Sequence, residues 1–173
     1  MRRVPSQHDR RRTYVQLVDD ALDELLPSAG LLATSRVLFV CTHNSARSVL
    51  AEALWREVSD VPTASAGTAP AAAANPRALA AADRFGLPVA EHIPQSIHDV
   101  LTIDALVVSV CDAVNEELDP VPTPRIHWSI PDPAAVGTDS AFASTVDLLR
   151  DRVSHLAPRV RYRRSARTRK AHR

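Results

Sequence analysis

The sequence predicts an α/β domain, an open four-stranded parallel sheet flanked by helices, with a helical extension at the N-terminus. Three observations lead there. Short, wholly apolar, β-branched runs mark strands buried on both faces, as at Val37, Leu38, Phe39 and Val40. Helix-length amphipathic stretches lie between those runs, and the alternation of strand with helix is the signature of a parallel sheet. A chain of 173 residues holds one compact domain with a real core and would be cramped by a second.

In chain order, residues 13–32 come first. Val15, Val18, Leu22 and Leu25 fall at three- and four-residue steps, with Asp19, Asp20, Asp23 and Glu24 between them, which predicts an amphipathic helix packed on the core or on a second copy in a homodimer. After a break at residues 27–30, the first strand spans residues 37–40. Residues 45–58 are helix formers, with Val49, Leu50, Ala53 and Leu54 on neighbouring faces. Residues 63–65 suggest a second strand that turns at Gly67. Asn75 caps a helix that opens on Pro76, continues through Phe85 and is stopped by Gly86 and Pro88. Residues 104–110 are the third strand, clearest in its β-branched content, and residues 126–128 a fourth. Residues 141–156 close the domain as a helix with Phe142, Val146, Leu149 and Val153 on one face. The remaining Arg159, Arg161, Arg163, Arg164, Arg167, Arg169, Lys170 and Arg173 have little apolar company and read as a solvated tail. The division expected is therefore residues 1–34 as extension, 35–157 as catalytic domain and 158–173 as a basic, disordered tail.

Composition narrows the function classes. Hydrophobic residues at 45% and charged residues at 24% exclude overall disorder. No apolar run approaches the length that spans a bilayer, and the basic N-terminus lacks the apolar stretch of a secretory signal, so a cytoplasmic protein without membrane contact is expected. A net charge of +1 makes no bulk case for nucleic acid. Two cysteines, Cys41 and Cys111, are too few for a disulfide framework and read as thiols in a reducing compartment. His43, His92, His98 and His127 show no closed structural-zinc spacing, and no metal is expected from them.

The chemistry begins where the first strand ends. Cys41 and Arg47 stand six positions apart on a loop between a buried strand and a helix. A loop of that length can wrap the amides of Thr42, His43, Asn44, Ser45 and Ala46 around one tetrahedral oxyanion, with the helix N-terminus adding positive charge and Arg47 offering a planar fork. The same field suits Cys41 as a thiolate nucleophile, and Ser48 can donate to it. The bland alternative makes Cys41 a strand-end core residue and Arg47 a surface helix residue. The strand-loop-helix context favours chemistry. In open parallel sheets ligands bind beyond the carboxyl ends of the strands, which also points at Cys111 and residues 128–133. Asp132, stiffened between Pro131 and Pro133, suits a positioned acid, although a plain turn aspartate has the same pattern.

Residues 37–48, followed by Ala51, Glu52, Ala53 and Leu54, resemble the catalytic loop and first helix of the arsenate reductases related to low molecular weight protein tyrosine phosphatases. The likeness continues through Ser65-Ala66-Gly67-Thr68, Asn75-Pro76, Val107-Val108-Ser109-Val110-Cys111-Asp112 and His127-Trp128-Ser129-Ile130-Pro131-Asp132-Pro133-Ala134, and covers residues 36–156 in order. It implies Cys41 as nucleophile, Arg47 with the loop amides as oxyanion site, and Asp132 as the general acid for the leaving oxygen. It also implies that Asn44 steadies the loop, by a left-handed conformation or by side-chain bonds. Asn44, Glu52 and Ser65 match positions that bind potassium in some relatives.

Within that resemblance two features favour a reductase. The phosphatases carry ring-clamping aromatics after the acid, whereas Pro133 is followed here by Ala134, Ala135 and Val136, and His43 with Asn44 resembles the reductase loop. In thioredoxin-coupled reductases a cysteine in the setting of Cys111 attacks the adduct, and a further cysteine seven positions on completes an exchangeable disulfide. That position is Leu118, and a thiol relay needs a final thiol. The expectation is therefore an arsenate reductase with no tightly bound cofactor, served by an external thiol such as mycothiol, or by a thioredoxin or glutaredoxin type of reductant acting on Cys41 and Cys111. Cys111 as plain core is the competing reading. A phosphomonoester-hydrolysing tyrosine phosphatase and a catalytically idle binding module are the alternatives.

Overall fold

The computed structural model describes residues 2–16, 32–89, 91–118 and 123–164. Two short strands, β1 (Arg2–Pro5) and β2 (Thr13–Gln16), form an antiparallel hairpin, and β3 (Leu32–Thr34) follows. The main unit then runs β4 (Arg36–Cys41), α1 (Arg47–Val58), β5 (Thr63–Gly67), α2 (Pro76–Arg84), α3 (Ile97–Val100), β6 (Ala105–Ser109), α4 (Asp112–Glu117), β7 (Arg125–His127), α5 (Pro133–Val136) and α6 (Asp139–Leu156). A 3-10 turn at Ala157–Arg159 leads into β8 (Val160–Tyr162), which pairs parallel with β3.

The main sheet has the order β5-β4-β6-β7 with every pair parallel, as the alternating apolar runs predict. Val37, Leu38, Phe39 and Val40 are all fully buried although successive side chains point to opposite faces, so both faces of β4 are covered. α1 packs on β4 and β5 and against α6, and α2 packs on both helices. Phe39 sits between two indoles, with ring centroids 5.9 Å from Trp55 of α1 and 5.8 Å from Trp128 behind β7. That order makes β4 the strand from which the chain first turns one way, to β5, and then the other, to β6. The crevice of such a sheet opens at that reversal, beyond the carboxyl ends of β4 and β6. Cys41 ends the first of these strands and Cys111 follows the second.

Two expectations need correction. Residues 13–16, read as the start of an amphipathic helix, are a strand: Tyr14 and Val15 suit an extended pair with Arg3 and Val4, and Val15 is exposed instead of facing a core. The rest of that expected helix, and the homodimer contact hung on it, lies outside the described residues. The tail does not begin at residue 158 either. Val160 is buried, and β8 completes a ladder with β3 that the arginines on either side concealed in the sequence. Residues 165–173 lie outside the described residues.

Candidate active site

Cys41 is the last residue of β4 and is buried. The six residues after it form a cradle whose shape follows from where its carbonyls go. The carbonyl of Cys41 accepts from Thr68 N at 3.3 Å, that of Thr42 from Ala69 N at 2.8 Å, that of His43 from Ala71 N at 2.9 Å and that of Ser45 from Asn75 N at 2.8 Å. Each of those carbonyls points outward to residues 68–75. In a trans peptide the next N–H points the opposite way, so the amides of Thr42, His43, Asn44 and Ala46 converge on the concave side. Asn44 O accepts from His92, which sends the Ser45 amide the same way. Ala46, the N-cap of α1, brings no side-chain acceptor to the helix start, so the first-turn donors of α1 are open to an anion.

Asn44 is the pivot of the loop. Its φ of 48° is left-handed, a conformation that asparagine tolerates better than most residues, and it is fully buried. Its amide nitrogen donates to Ser48 Oγ at 3.0 Å and to Ser65 Oγ at 2.9 Å, while its Oδ1 accepts from Gln95 N at 2.9 Å. His92 Nε2 lies 3.1 Å from Asn44 O and 3.2 Å from Asn44 Oδ1, both acceptors, so the proton sits on Nε2. Ser48, held by Asn44, stands 3.1 Å from Cys41 Sγ. A chain of bonds thus runs from the 92–95 segment through Asn44 and Ser48 to the sulfur. Of the three residues matched to a potassium site, Asn44 and Ser65 bond each other and Glu52 is paired with Arg56.

Arg47 opens α1 and turns its guanidinium toward the acid loop. Nη1 donates to Ile130 O at 3.1 Å, and Nη2 pairs with Asp132 Oδ2 at 3.1 Å. Asp132 uses its other oxygen to cap α5, accepting from Ala134 N at 3.1 Å. The flanking prolines and this cap hold the carboxylate at the rim, with its side chain 40% exposed.

Cys111 is the N-cap of α4 and is buried, its sulfur 3.7 Å from Thr42 Oγ1. Burial pushes its thiol above the usual 9.0, although Arg47 pulls the other way. Leu118, at the far end of α4, packs partly buried against the core. Thr42, Arg47, Cys111, Asp132, Ile130 and Ala135 share one open cleft of about 290 Å³. Among the described residues no Phe, Tyr or Trp side chain lines it. Among the described residues no cluster of His, Cys, Asp and Glu of metal-binding size occurs, and no helix is long and apolar enough to cross a membrane.

Six residues around the site escaped sequence reasoning. His92 and Gln95 support Asn44 from a proline-rich segment that carries no periodic signal. Gln7 and His8 line the cleft from the N-terminal hairpin, and nothing in their local sequence points there. Buried Asp112 and partly buried His127 form a pair beside Cys111, with His127 Nε2 3.1 Å from Asp112 Oδ1 and Ser109 Oγ 3.0 Å from His127 Nδ1.

An uncapped oxyanion cradle between a buried strand and a helix, a cysteine at its start and an arginine at its end define a class of cysteine-dependent oxyanion enzymes. The profile of the low molecular weight phosphotyrosine protein phosphatase family matches residues 36–166, and the chain belongs to that family. An arsenate reductase of Shouchella clausii is 32% identical over 122 residues, which are 68% of this chain and 88% of that protein. The crystal structure of an arsenate reductase from Archaeoglobus fulgidus superposes with a TM-score of 0.63 at 30% identity, over 71% of this chain and 99% of that one. A tyrosine phosphatase of Erwinia amylovora has the same fold, with a TM-score of 0.61 at 19% identity, over 72% of this chain and 92% of that one.

Proposed function

We propose that the protein is an arsenate reductase that works through a Cys41 arsenate adduct and an external thiol. The observation that carries the choice over a phosphatase is the cleft lining: a site for a phenyl ring should offer Phe, Tyr or Trp faces to clamp it, and among the described residues none of these lines the cleft. The kinship with curated arsenate reductases supports the same reading.

In this mechanism arsenate enters the cradle, where the amides of residues 42–46 and the Arg47 fork hold its oxygens. Cys41 Sγ, steadied by Ser48, bonds to arsenic, and an arsenate oxygen leaves as water with a proton from Asp132. Arg47 then serves the anion as well as Asp132, and its bond to Ile130 O keeps the guanidinium aimed while that exchange occurs. Two equivalents of an external thiol, mycothiol or a similar one, supply the two electrons that take arsenic from the pentavalent to the trivalent state. They leave as a disulfide, and Cys41 is restored.

Cys111 is buried and its thiol is shifted toward the protonated form, and Leu118 cannot pass a disulfide outward. Both facts favour the external thiol over a relay through Cys111. The test is arsenite formation from arsenate with mycothiol and its redoxin, or with thioredoxin, in wild type, Cys41→Ser and Cys111→Ser. Turnover should vanish in Cys41→Ser and survive in Cys111→Ser within a factor of about three, the range of a secondary packing effect. Loss of turnover in both variants would replace the external-thiol scheme by a two-cysteine cycle. Hydrolysis of p-nitrophenyl phosphate without any arsenite would make the protein a phosphatase.

A further inference from the structure

The hairpin β1–β2 is not an appendage on the far side of the molecule. It lies along α4, the helix that begins beside Cys111, and every acidic side chain of that helix takes a bond from it. Gln7 N donates to Asp112 Oδ2 at 2.7 Å. Ser6 Oγ and Tyr14 Oη both donate to Glu116 Oε1 at 2.7 Å, and His8 Nε2 sits 2.8 Å from Glu117 Oε1. Arg12 approaches the other Glu116 oxygen at 4.0 Å, and the Tyr14 ring packs at 4.8 Å from the His127 imidazole. Burial opposes ionisation of Glu116, but the Ser6 and Tyr14 hydroxyls together with the charges of Arg12 and His8 lower its pKa. The ladder only joins β1 to β2, so these bonds are what dock the hairpin on α4.

The docking has a geometric consequence. Between Ser6 and Asp9 the hairpin turn presents Gln7 and His8 to the cleft that holds Thr42, Arg47 and Cys111, facing Ile130, Asp132 and Ala135. Gln7 and His8 therefore line the same cleft as Thr42 of the loop, the Arg47 fork and Asp132.

We propose that the hairpin is a specificity determinant of this cleft, with Gln7 and His8 as a wall that admits a bare oxyanion and excludes an aryl group attached to it. The proposal rests on the reading of the Cys41 loop as an oxyanion site, and its test separates the two. Neither Ser6 nor Tyr14 lines the cleft, so Ser6→Ala with Tyr14→Phe removes both donors to Glu116 and leaves the cradle untouched. Glu116→Ala removes the acceptor instead and provides an independent release.

Dissociation constants for inorganic phosphate and for phenylphosphonate are measured by calorimetry on wild type and both variants, beside the rate of tryptic cleavage at Arg10, Arg11 and Arg12. In the variants cleavage should accelerate and phenylphosphonate should bind at least about tenfold tighter, while phosphate changes by less than about twofold. Three results overturn the proposal: cleavage no faster in either variant, phenylphosphonate unmoved while cleavage is faster, or both ligands weakened together, which would make the hairpin a support of the cradle. If phosphate fails to bind the wild type, the oxyanion reading falls, and the hairpin proposal with it.

Discussion

Asn44 and Cys111 show how differently two buried polar residues can serve one site. Asn44 occupies a left-handed backbone position and meets each of its amide hydrogens and its carbonyl oxygen with a partner from a different segment, so the cradle's curvature is set by one residue. Its position in the loop was legible from spacing, but its partners were not: Ser65 is 21 residues away and Gln95 is 51. Cys111 has a weaker tie, a long contact to Thr42, and burial keeps it protonated. Alkylation of Cys111 in Cys41→Ser protein should therefore be slow near neutral pH and rise by about tenfold per pH unit, still climbing beyond its ordinary 9.0, because only the thiolate reacts. Mass spectrometry of the modified peptide measures this. A plateau below 9.0 would mean an activated thiol and would revive the two-cysteine cycle.

Among the elements, β5 and the cradle meet at Gly67. A Cβ there would lie 2.6 Å from Thr42 O and 3.0 Å from Asn44 N, both backbone atoms that cannot swing aside. Gly67 N is also tied to Gln95 O at 2.9 Å, which prevents β5 from backing away. Gly67→Ala should thus cost about 1 to 3 kcal/mol of stability, the range for overpacking, and should weaken phosphate binding further than the stability loss explains because the cradle is the part displaced. Chemical denaturation and a phosphate titration check the two effects. A stable protein with unchanged affinity would show that the loop has slack. Read from sequence, Gly67 was a turn residue. Its role as a clearance for the neighbouring loop appears only once β5 lies parallel to β4, with Cys41 opposite Gly67.

The molecule as a whole should respond to acid through His127. Burial lowers its pKa from 6.5, while the Asp112 carboxylate opposes that shift without cancelling it. The folded state therefore binds its proton less readily than the unfolded chain, whose histidine titrates near 6.5. Stability from this group is present above 6.5 and is lost as the pH falls from there through the lower folded value. The melting temperature should decline as the pH falls below 6.5, and His127→Gln should flatten that decline. An unaltered slope in the variant would assign the acid sensitivity to another group. Asp112 also accepts from Gln7 N, and the Tyr14 ring packs tilted against His127, so this pair sits between the sheet and the hairpin.

What the sequence determined by itself is the local and the periodic. The apolar run at residues 37–40 defined the central strand, Asn75-Pro76 capped its helix, and the six-residue step from Cys41 to Arg47 marked the loop proposed to hold an oxyanion. Each of these signals lies within one turn or one strand, where backbone sterics and burial act on neighbours. Only the tertiary structure decided the rest. Tyr14 joined a hairpin and not a helix because Arg2–Pro5 was available to pair with its strand, and Val160 left the tail because Leu32 offered an edge. Gln7 and His8 reached the cleft through acidic partners more than a hundred residues downstream. Such contacts leave no period in the chain, since their energy comes from desolvated pairing between distant segments and is realised only after the sheet has brought those segments together.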